Sequence, residues 1–405
     1  MESDRLKVLM FAEAVTLAHV ARPLALAAAL HQDGAEIVLA CDTRYQRFVA
    51  DGPWVHVPLT SIPSERFLSA LAHGKPVYDM ATLQAYVDED RAHIRRHRPD
   101  VVVGDFRLSL GVSARLERVP YVAISNAYWS PAYGGRLPMP VLPMTRWLPL
   151  RLAAGLFQVG APLALGLHCR PINRLRKQYG LPAVKGSLRS VYTDADHVLL
   201  ADVEALFPME RPMPEQQTYV GPLVWSPPGA IPAWWDELDP KLPCVYVTLG
   251  SSGPSRSLET VLLGLGRLPI QVVASTAGTP APAGLPGNVR VADYLAGDVA
   301  AARSELVVCN GGSLSAQQAL ISGVPVLGIA SNMDQFMNME ALAAAGVGLV
   351  LRSDRLTQEN VAAAVSRLLQ EPGFRGAARR LRPEMQSQRP VGETFRAIVR
   401  RLRQK

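Results

Sequence analysis

His19, isolated ahead of the first long apolar helix pattern, and Asp105, closing the buried-looking run Asp-Val-Val-Val-Gly, are an imidazole and a carboxylate at the ends of two predicted strands. An open parallel sheet brings such strand ends to one edge, where ligands bind. A carboxylate there can fix the tautomer of an imidazole and stabilise the imidazolium that forms when the ring takes a proton. Each residue also has a plainer reading, His19 as a surface or capping residue and Asp105 as the cap of a helix starting near Leu108. A second chemistry is written further along. Leu306 to Cys309 is apolar and β-branched, suited to a strand buried on both faces, and Asn310, Gly311 and Gly312 break it. The helix expected from Ser313 would direct free backbone N–H groups and its positive dipole end at that turn, with the Ser313 and Ser315 hydroxyls beside them, which makes an anion site. The following strand leads into Asn332, Met333, Asp334 and Gln335, read as a loop whose carboxylate and amide could bind several sugar hydroxyls. The alternative is an ordinary strand–turn–helix that holds no ligand.

The elements that must carry these groups alternate in type. Residues 7–11 read as a strand followed by a helix over 22–31, with His19 in the connection; 36–40, 100–105, 121–125 and 198–201 read as further strands. The proline-rich run 208–243 looks like a connection between domains. Residues 244–249 open a fresh strand–helix series, with Gly250, Ser251, Ser252 and Gly253 as its first turn. A chain of 405 residues is long enough for two domains of ordinary size. The division expected is 1–220, a linker over 221–243, a second domain over 244–385, and a basic segment 386–405 able to cross back onto the first. After the strand 121–125, Asn126, Tyr128 and Trp129 would put amide polarity and aromatic faces at the sheet's carboxyl edge, as an acceptor pocket or as packing under a loop. Residues 152–169 contain no Asp, Glu, Lys or Arg. They fall short of the roughly 20 apolar residues of a membrane span, and read as a helical wall for an apolar ligand.

The segment 305–351 resembles the donor-binding signature of GT-B glycosyltransferases of the UDP-glycosyltransferase type, especially the bacterial branch that decorates natural products. The matching residues are Gly311, Gly312, Ser315, Ala319, Gly323, Val324, Pro325, Asp334, Gln335, Asn338, Gly346 and Gly348, in order and spacing. Asn310 stands where the family has a phosphate-contacting histidine and Gln318 where it has a ribose-contacting glutamate; both still hydrogen-bond. The resemblance implies an α/β fold of two Rossmann-like domains facing a cleft, with donor in the second and acceptor in the first. It implies that His19 is the base and Asp105 its partner, that Ser251 and, less closely, Ser252 contact phosphate, and that Tyr294 replaces the tryptophan that stacks on the nucleobase. Ala18-His19 departs mildly from the family's Gly-His.

The function expected is inverting transfer of a sugar from a UDP- or dTDP-sugar to a hydroxyl of a small hydrophobic acceptor, with no metal and no further cofactor. The rivals are a catalytically silent nucleotide-sugar binding subunit and a GT-B epimerase, which would need carboxylates flanking the sugar carbon. The formal net charge is +7, and the part after Phe374, where nine arginines and Lys405 face Glu384 and Glu393, carries +8 against −1 for the rest of the chain. A nucleic-acid face spread over a domain is not the natural reading. The tail reads as a solvated helix face, with a weak contact to an anionic membrane as the functional rival. Four scattered cysteines without metal-ligand spacing read as core thiols, and cytoplasmic is the default compartment.

Overall fold

The computed structural model describes residues 5–227, 231–250, 255–387 and 390–404, with the side chains of Ser255 and Arg256 excepted. Each of its two compact units is built on its own parallel sheet. The first sheet holds β1 (Lys7–Ala12), β2 (Glu36–Cys41), β3 (Val55–Pro58), β4 (Val101–Asp105), β5 (Tyr121–Ser125), β6 (His197–Leu200) and β7 (Gln217–Tyr219), in the order β3-β2-β1-β4-β5-β6-β7. The second holds β8 (Cys244–Thr248), β9 (Gln271–Ser275), β10 (Val289–Ala292), β11 (Leu306–Cys309), β12 (Val326–Ala330) and β13 (Gly348–Arg352), in the order β10-β9-β8-β11-β12-β13. The apolar strands are buried because helices cover both faces of a parallel sheet. In each sheet the order reverses beside the first strand of the unit, so β1 and β4, and β8 and β11, flank the switch point where open α/β sheets bind ligands.

Six helices matter below: α1 (Ala18–Gln32), α2 (Met80–His97), α3 (Leu150–Gln178), α4 (Ser313–Ile321), α5 (Met333–Ala344) and α6 (Val391–Arg403). α1 starts four residues earlier than the sequence suggests, so His19 lies in its first turn rather than in a loop. α3 runs for 29 residues, and Leu152, Leu156, Val159, Leu163 and Leu167 along it are exposed to solvent. The face of α3 that packs is the one carrying Ala161, Cys169, Ile172 and Leu175.

The units differ from the sequence division in two respects. Residues 136–154 group with the second unit and 155–225 with the first. The cause is a set of hydrogen bonds from distant residues: the Arg352 guanidinium donates to the carbonyls of Met139 and Pro140, Arg355 to that of Thr145, and the Thr145 hydroxyl donates to Asp354 at 2.6 Å. Of the expected linker, 221–225 goes with the first unit and 226–243 with the second. The C-terminal helix α6 belongs to the first unit.

α6 docks because Phe395, Ile398 and Val399, at helical spacing, enter the core that also holds Val20, Leu24 and Ala27 of α1. Each such side chain contributes roughly 1.5–3 kcal/mol on burial. Of its cations, Arg403 pairs with Asp100 at 3.2 Å, and Arg401 donates to Nδ1 of His197 at 3.0 Å. The apolar face of α6 is thus covered by its own unit, which leaves the tail only charge with which to meet a membrane.

Arg401 needs His197 as an acceptor, so Nε2 carries the ring proton and donates to Thr218 Oγ1 at 3.0 Å. Burial and the nearby Arg401 guanidinium push the His197 pKa down from 6.5 to about 4. A histidine depressed in this way contributes full stability above the unfolded pKa near 6.5, and the contribution is lost as pH falls towards 4. Acidification across that window is expected to remove up to about 3 kcal/mol from the first unit. His197→Gln, which keeps one donor and one acceptor, should flatten that part of the profile in urea unfolding followed against pH; an unchanged slope would assign the acid loss elsewhere.

Candidate functional site

In the first unit, His19 Nδ1 lies 2.9 Å from Asp105 Oδ1. The carboxylate comes from the carboxyl end of β4, paired in register with Ala12 at the end of β1, and the ring comes from the first turn of α1 after β1. Nδ1–H donating to the carboxylate leaves Nε2 with its lone pair. Asp105 is fully buried, whereas His19 keeps part of its ring exposed. The pair is therefore held on one side and open on the other.

Arg22, one turn on from His19, was missed in the sequence. Its Nε and Nη2 donate to the two Asp105 oxygens at 2.7 Å each, its Nη1 donates to Asn126 Oδ1 at 2.7 Å, and Nη2 lies 3.2 Å from His19 Nδ1. This fork-to-carboxylate contact is the strong, directional kind of ion pair. It fixes the carboxylate's orientation and so that of the imidazole. The sequence signal was weak, because an arginine ahead of Pro23 reads only as a helix start.

Asn126 thus serves the network. Its amide nitrogen also donates to Asp202 at 3.1 Å, and it is buried. Tyr128 is fully buried against Trp129 and Phe207, and Trp129 lies edge-on to Tyr192 at 4.7 Å. In this structure polar neighbours engage the Asn126 amide and packing encloses the Tyr128 ring, the packing alternative of the sequence reading. The aromatic surface at His19 comes instead from Phe106, stacked on the imidazole at 4.9 Å, and from Phe67, edge-on at 6.4 Å. Phe106 has φ +58°, a left-handed conformation uncommon for a bulky residue, which points to a local constraint at the site.

A buried charge cluster supports this edge. Arg107, two residues past Asp105, donates to Glu13 at 2.9 Å, to Asp90 at 3.0 Å, to Glu89 at 3.0 Å and to the Thr60 carbonyl at 2.7 Å, with its guanidinium 3.6 Å from the Tyr86 ring centre. Ser109 and Ser113 donate to Asp90, and Tyr86 to Glu13. Burial raises the pKa of both Glu13 and Asp90, against the opposing pull of Arg107. Segments after β1, β3 and β4 are tied together by this single guanidinium.

In the second unit, β11 ends at Cys309 and α4 begins at Ser313, with Gly312 as its N-cap. Gly312 has no side chain with which to cap the first-turn N–H groups, which are left for another acceptor. Gly311 has φ +81°, and a Cβ there would strike the Met339 side chain, so the turn requires glycine. Asn310 Oδ1 accepts the Gly312 N–H at 3.0 Å, and Asn338 donates to the Gly311 carbonyl at 2.9 Å. Ser313 is buried and Ser315 half-buried. Ser251 and Ser252 lie outside the described residues.

Two residues expected at the ligand also have partners within the protein. Asn332 and Gln335 form a reciprocal cap on α5, and Gln335 Oε1 accepts from Ser331 N at 2.8 Å and Ser331 Oγ at 2.9 Å. Gln335 is buried, and the expected loop is the first turn of a helix; the Asn-x-x-Gln spacing was a capping signature. Gln318 is buried and donates to Ser226 Oγ at 3.0 Å, and Ser226 also accepts the Asp298 N–H. Asp334 remains in the half-buried first turn of α5. Tyr294 is half-buried and its hydroxyl donates to the Ala277 carbonyl at 2.9 Å, fixing the ring beside the end of β9. Thr276, also at that strand end and also missed, has a buried hydroxyl with no hydrogen-bond partner among the described residues.

These two parallel sheets, with an imidazole–carboxylate pair on one and a glycine turn at a helix mouth on the other, define an α/β enzyme of the two-Rossmann kind. Residues 259–400 match the family model described as "Erythromycin biosynthesis protein CIII-like, C-terminal domain". The chain is 47% identical to a PGL/p-HBAD biosynthesis rhamnosyltransferase of Mycobacterium bovis over 94% of its own length and 84% of that protein. It is 47% identical to a PGL/p-HBAD biosynthesis glycosyltransferase of Mycobacterium tuberculosis over 93% of its length and 88% of the relative. A shorter match, 43% over 65% of this chain and 72% of the relative, is to an M. bovis protein named an inactive PGL/p-HBAD biosynthesis glycosyltransferase. Among solved structures, the spinosyn rhamnosyltransferase SpnG complexed with thymidine diphosphate superposes with TM-score 0.68 at 20% identity, covering 97% of this chain and 99% of that one. The chain belongs to the family of the PGL/p-HBAD biosynthesis glycosyltransferases, with the GT-B fold, and it is a glycosyltransferase.

Proposed function

We propose that this glycosyltransferase moves a sugar, with inversion and without a metal, from a nucleotide diphosphate sugar to a hydroxyl of a small hydrophobic acceptor in the cytoplasm. The observation that carries the reading is the 2.9 Å contact between His19 and Asp105, which orients Nε2 as a base. His19 Nε2 takes the acceptor proton, Asp105 stabilises the imidazolium, and the freed oxygen attacks the anomeric carbon opposite the leaving diphosphate. The charge that develops on the diphosphate is met by first-turn N–H groups of α4 beyond Gly312, with Ser313, Ser315 and Asn310 as further donors. Asp334 is assigned to a sugar hydroxyl, Tyr294 to the base, and Thr276 to a further polar contact with the nucleoside. Thymidine diphosphate in the structural neighbour and the rhamnosyl specificity named for one relative make dTDP-rhamnose the first donor to test.

Calorimetric titration of the protein in EDTA with dTDP and UDP, then with their sugar conjugates, tests the donor half. Binding of dTDP in the micromolar range is expected. Failure of every nucleotide to bind in EDTA would overturn the donor site as drawn, and binding restored by magnesium would overturn metal independence. The relative named inactive favours one second reading, a nucleotide-sugar binding subunit without turnover. Tight donor binding with no transfer across an acceptor panel would select it.

A further inference from the structure

α3 carries an apolar surface that lies outside the residues given a role in sugar transfer above. Leu152, Leu156, Val159, Leu163 and Leu167 recur every three or four residues, so they form one stripe about 22 Å long on one face. All five are exposed, Val159 at 84% and Leu163 at 73%, and Trp147 just before the helix stands 86% exposed. Contiguous apolar surface of this kind is rare on a monomer that meets only water. On the other side Ala161, and beyond the stripe Cys169, Ile172 and Leu175, are buried. By length and composition the helix could cross a bilayer, but these buried side chains tie it to the rest of its fold, which suits a helix lying on a surface.

The charges name the occupant. Arg146 and Arg151 precede the stripe, while Arg170, Arg174 and Lys177 continue along the same face beyond Leu167, all exposed. The 29 residues of α3 include no aspartate or glutamate. An aliphatic stripe continued on the same face by cations, on a helix without acidic residues, matches the pattern of helices that lie in the interface of an anionic bilayer.

We propose that α3 docks this protein on anionic lipid, with the stripe from Leu152 to Leu167 in the acyl boundary and the flanking cations at the headgroups. This goes beyond the transfer reaction and does not depend on His19 or on the donor site. It also puts the membrane contact on α3 rather than on the basic C-terminal helix.

Flotation of the full chain with vesicles of phosphatidylcholine, and of phosphatidylcholine mixed equally with phosphatidylglycerol, tests it. Partitioning onto the mixed vesicles is expected to be roughly tenfold stronger than onto the neutral ones, and to weaken with salt. Val159→Glu combined with Leu163→Glu should lose partitioning onto both while leaving helix content and dTDP affinity unchanged, since both residues are exposed. Arg170→Ala with Arg174→Ala and Lys177→Ala should lose the preference for the anionic vesicles. Wild-type protein that stays with the buffer fraction overturns the proposal. So does a dimer in light scattering that Val159→Glu/Leu163→Glu dissociates while vesicle binding persists, which would make the stripe an interface between copies. A rise in KM for a soluble acceptor, with partitioning intact, would make it an acceptor surface and overturn the proposal equally.

Discussion

Replacing His19 by alanine is expected to lower kcat for transfer by roughly 10²–10⁴-fold while leaving the donor Kd within about twofold. The asymmetry follows from where the groups lie: His19 belongs to the first unit, and the glycine turn, Ser315, Asp334 and Tyr294 to the second. His19 is also the cleaner member of the pair to remove. Asp105 holds Arg22 through two 2.7 Å bonds, so Asp105→Asn would leave a buried guanidinium short of a carboxylate and mix a folding effect with a catalytic one. Truncating the partly exposed His19 leaves the Arg22–Asp105 contact intact. The measurement is initial rate against donor concentration, with donor binding followed separately. An unchanged kcat would remove His19 as the base; a large rise in donor Kd with kcat retained would make it a binding residue.

Arg107→Met should be the most damaging single substitution for stability, at about 3–5 kcal/mol, because it leaves the fully buried Glu13 and Asp90 without their cation. Methionine fills most of the volume, so the loss reports charge rather than a cavity. Its pH dependence has a definite sign. A buried carboxyl with a raised pKa binds its proton more tightly in the folded state, so it destabilises at neutral pH and less as pH falls. The deficit of Arg107→Met relative to wild type should therefore shrink on acidification. Denaturant midpoints of both proteins against pH, read on a signal from the first unit, give the answer. A deficit independent of pH would mean that lost packing, not unpaired charge, is the cost.

The candidate site was legible where chemistry coincides with the end of an element. Asp105 ends an apolar run, and Gly311-Gly312-Ser313 separates another from a helix pattern, so one-dimensional position was enough to mark them. The surrounding residues were not legible for a different reason each time. Arg22 becomes a positioning residue only because β1 and β4 are neighbours across a chain separation of more than eighty residues. Gln335 carried its own correct signal in the capping spacing, but a polar side chain after a strand reads equally well as a ligand contact. Asn126 and Tyr128 have types that suit a pocket, and no residue type dictates the burial they show. Leu152 to Leu167 is the converse, an apolar run that composition sends inward and packing leaves outside.

By itself the sequence determined the alternation of strand and helix, the two parallel sheets and the glycine turn, because these follow from periodicities of a few residues and from glycine's freedom at one site. The tertiary structure decided what depends on distant neighbours. It set which carboxylate meets which cation, that residues 136–154 join the second unit through Arg352 and Asp354, and that α6 returns to the first. Hydrogen bonds and burial between segments hundreds of residues apart are properties of the folded chain, and no local pattern encodes them.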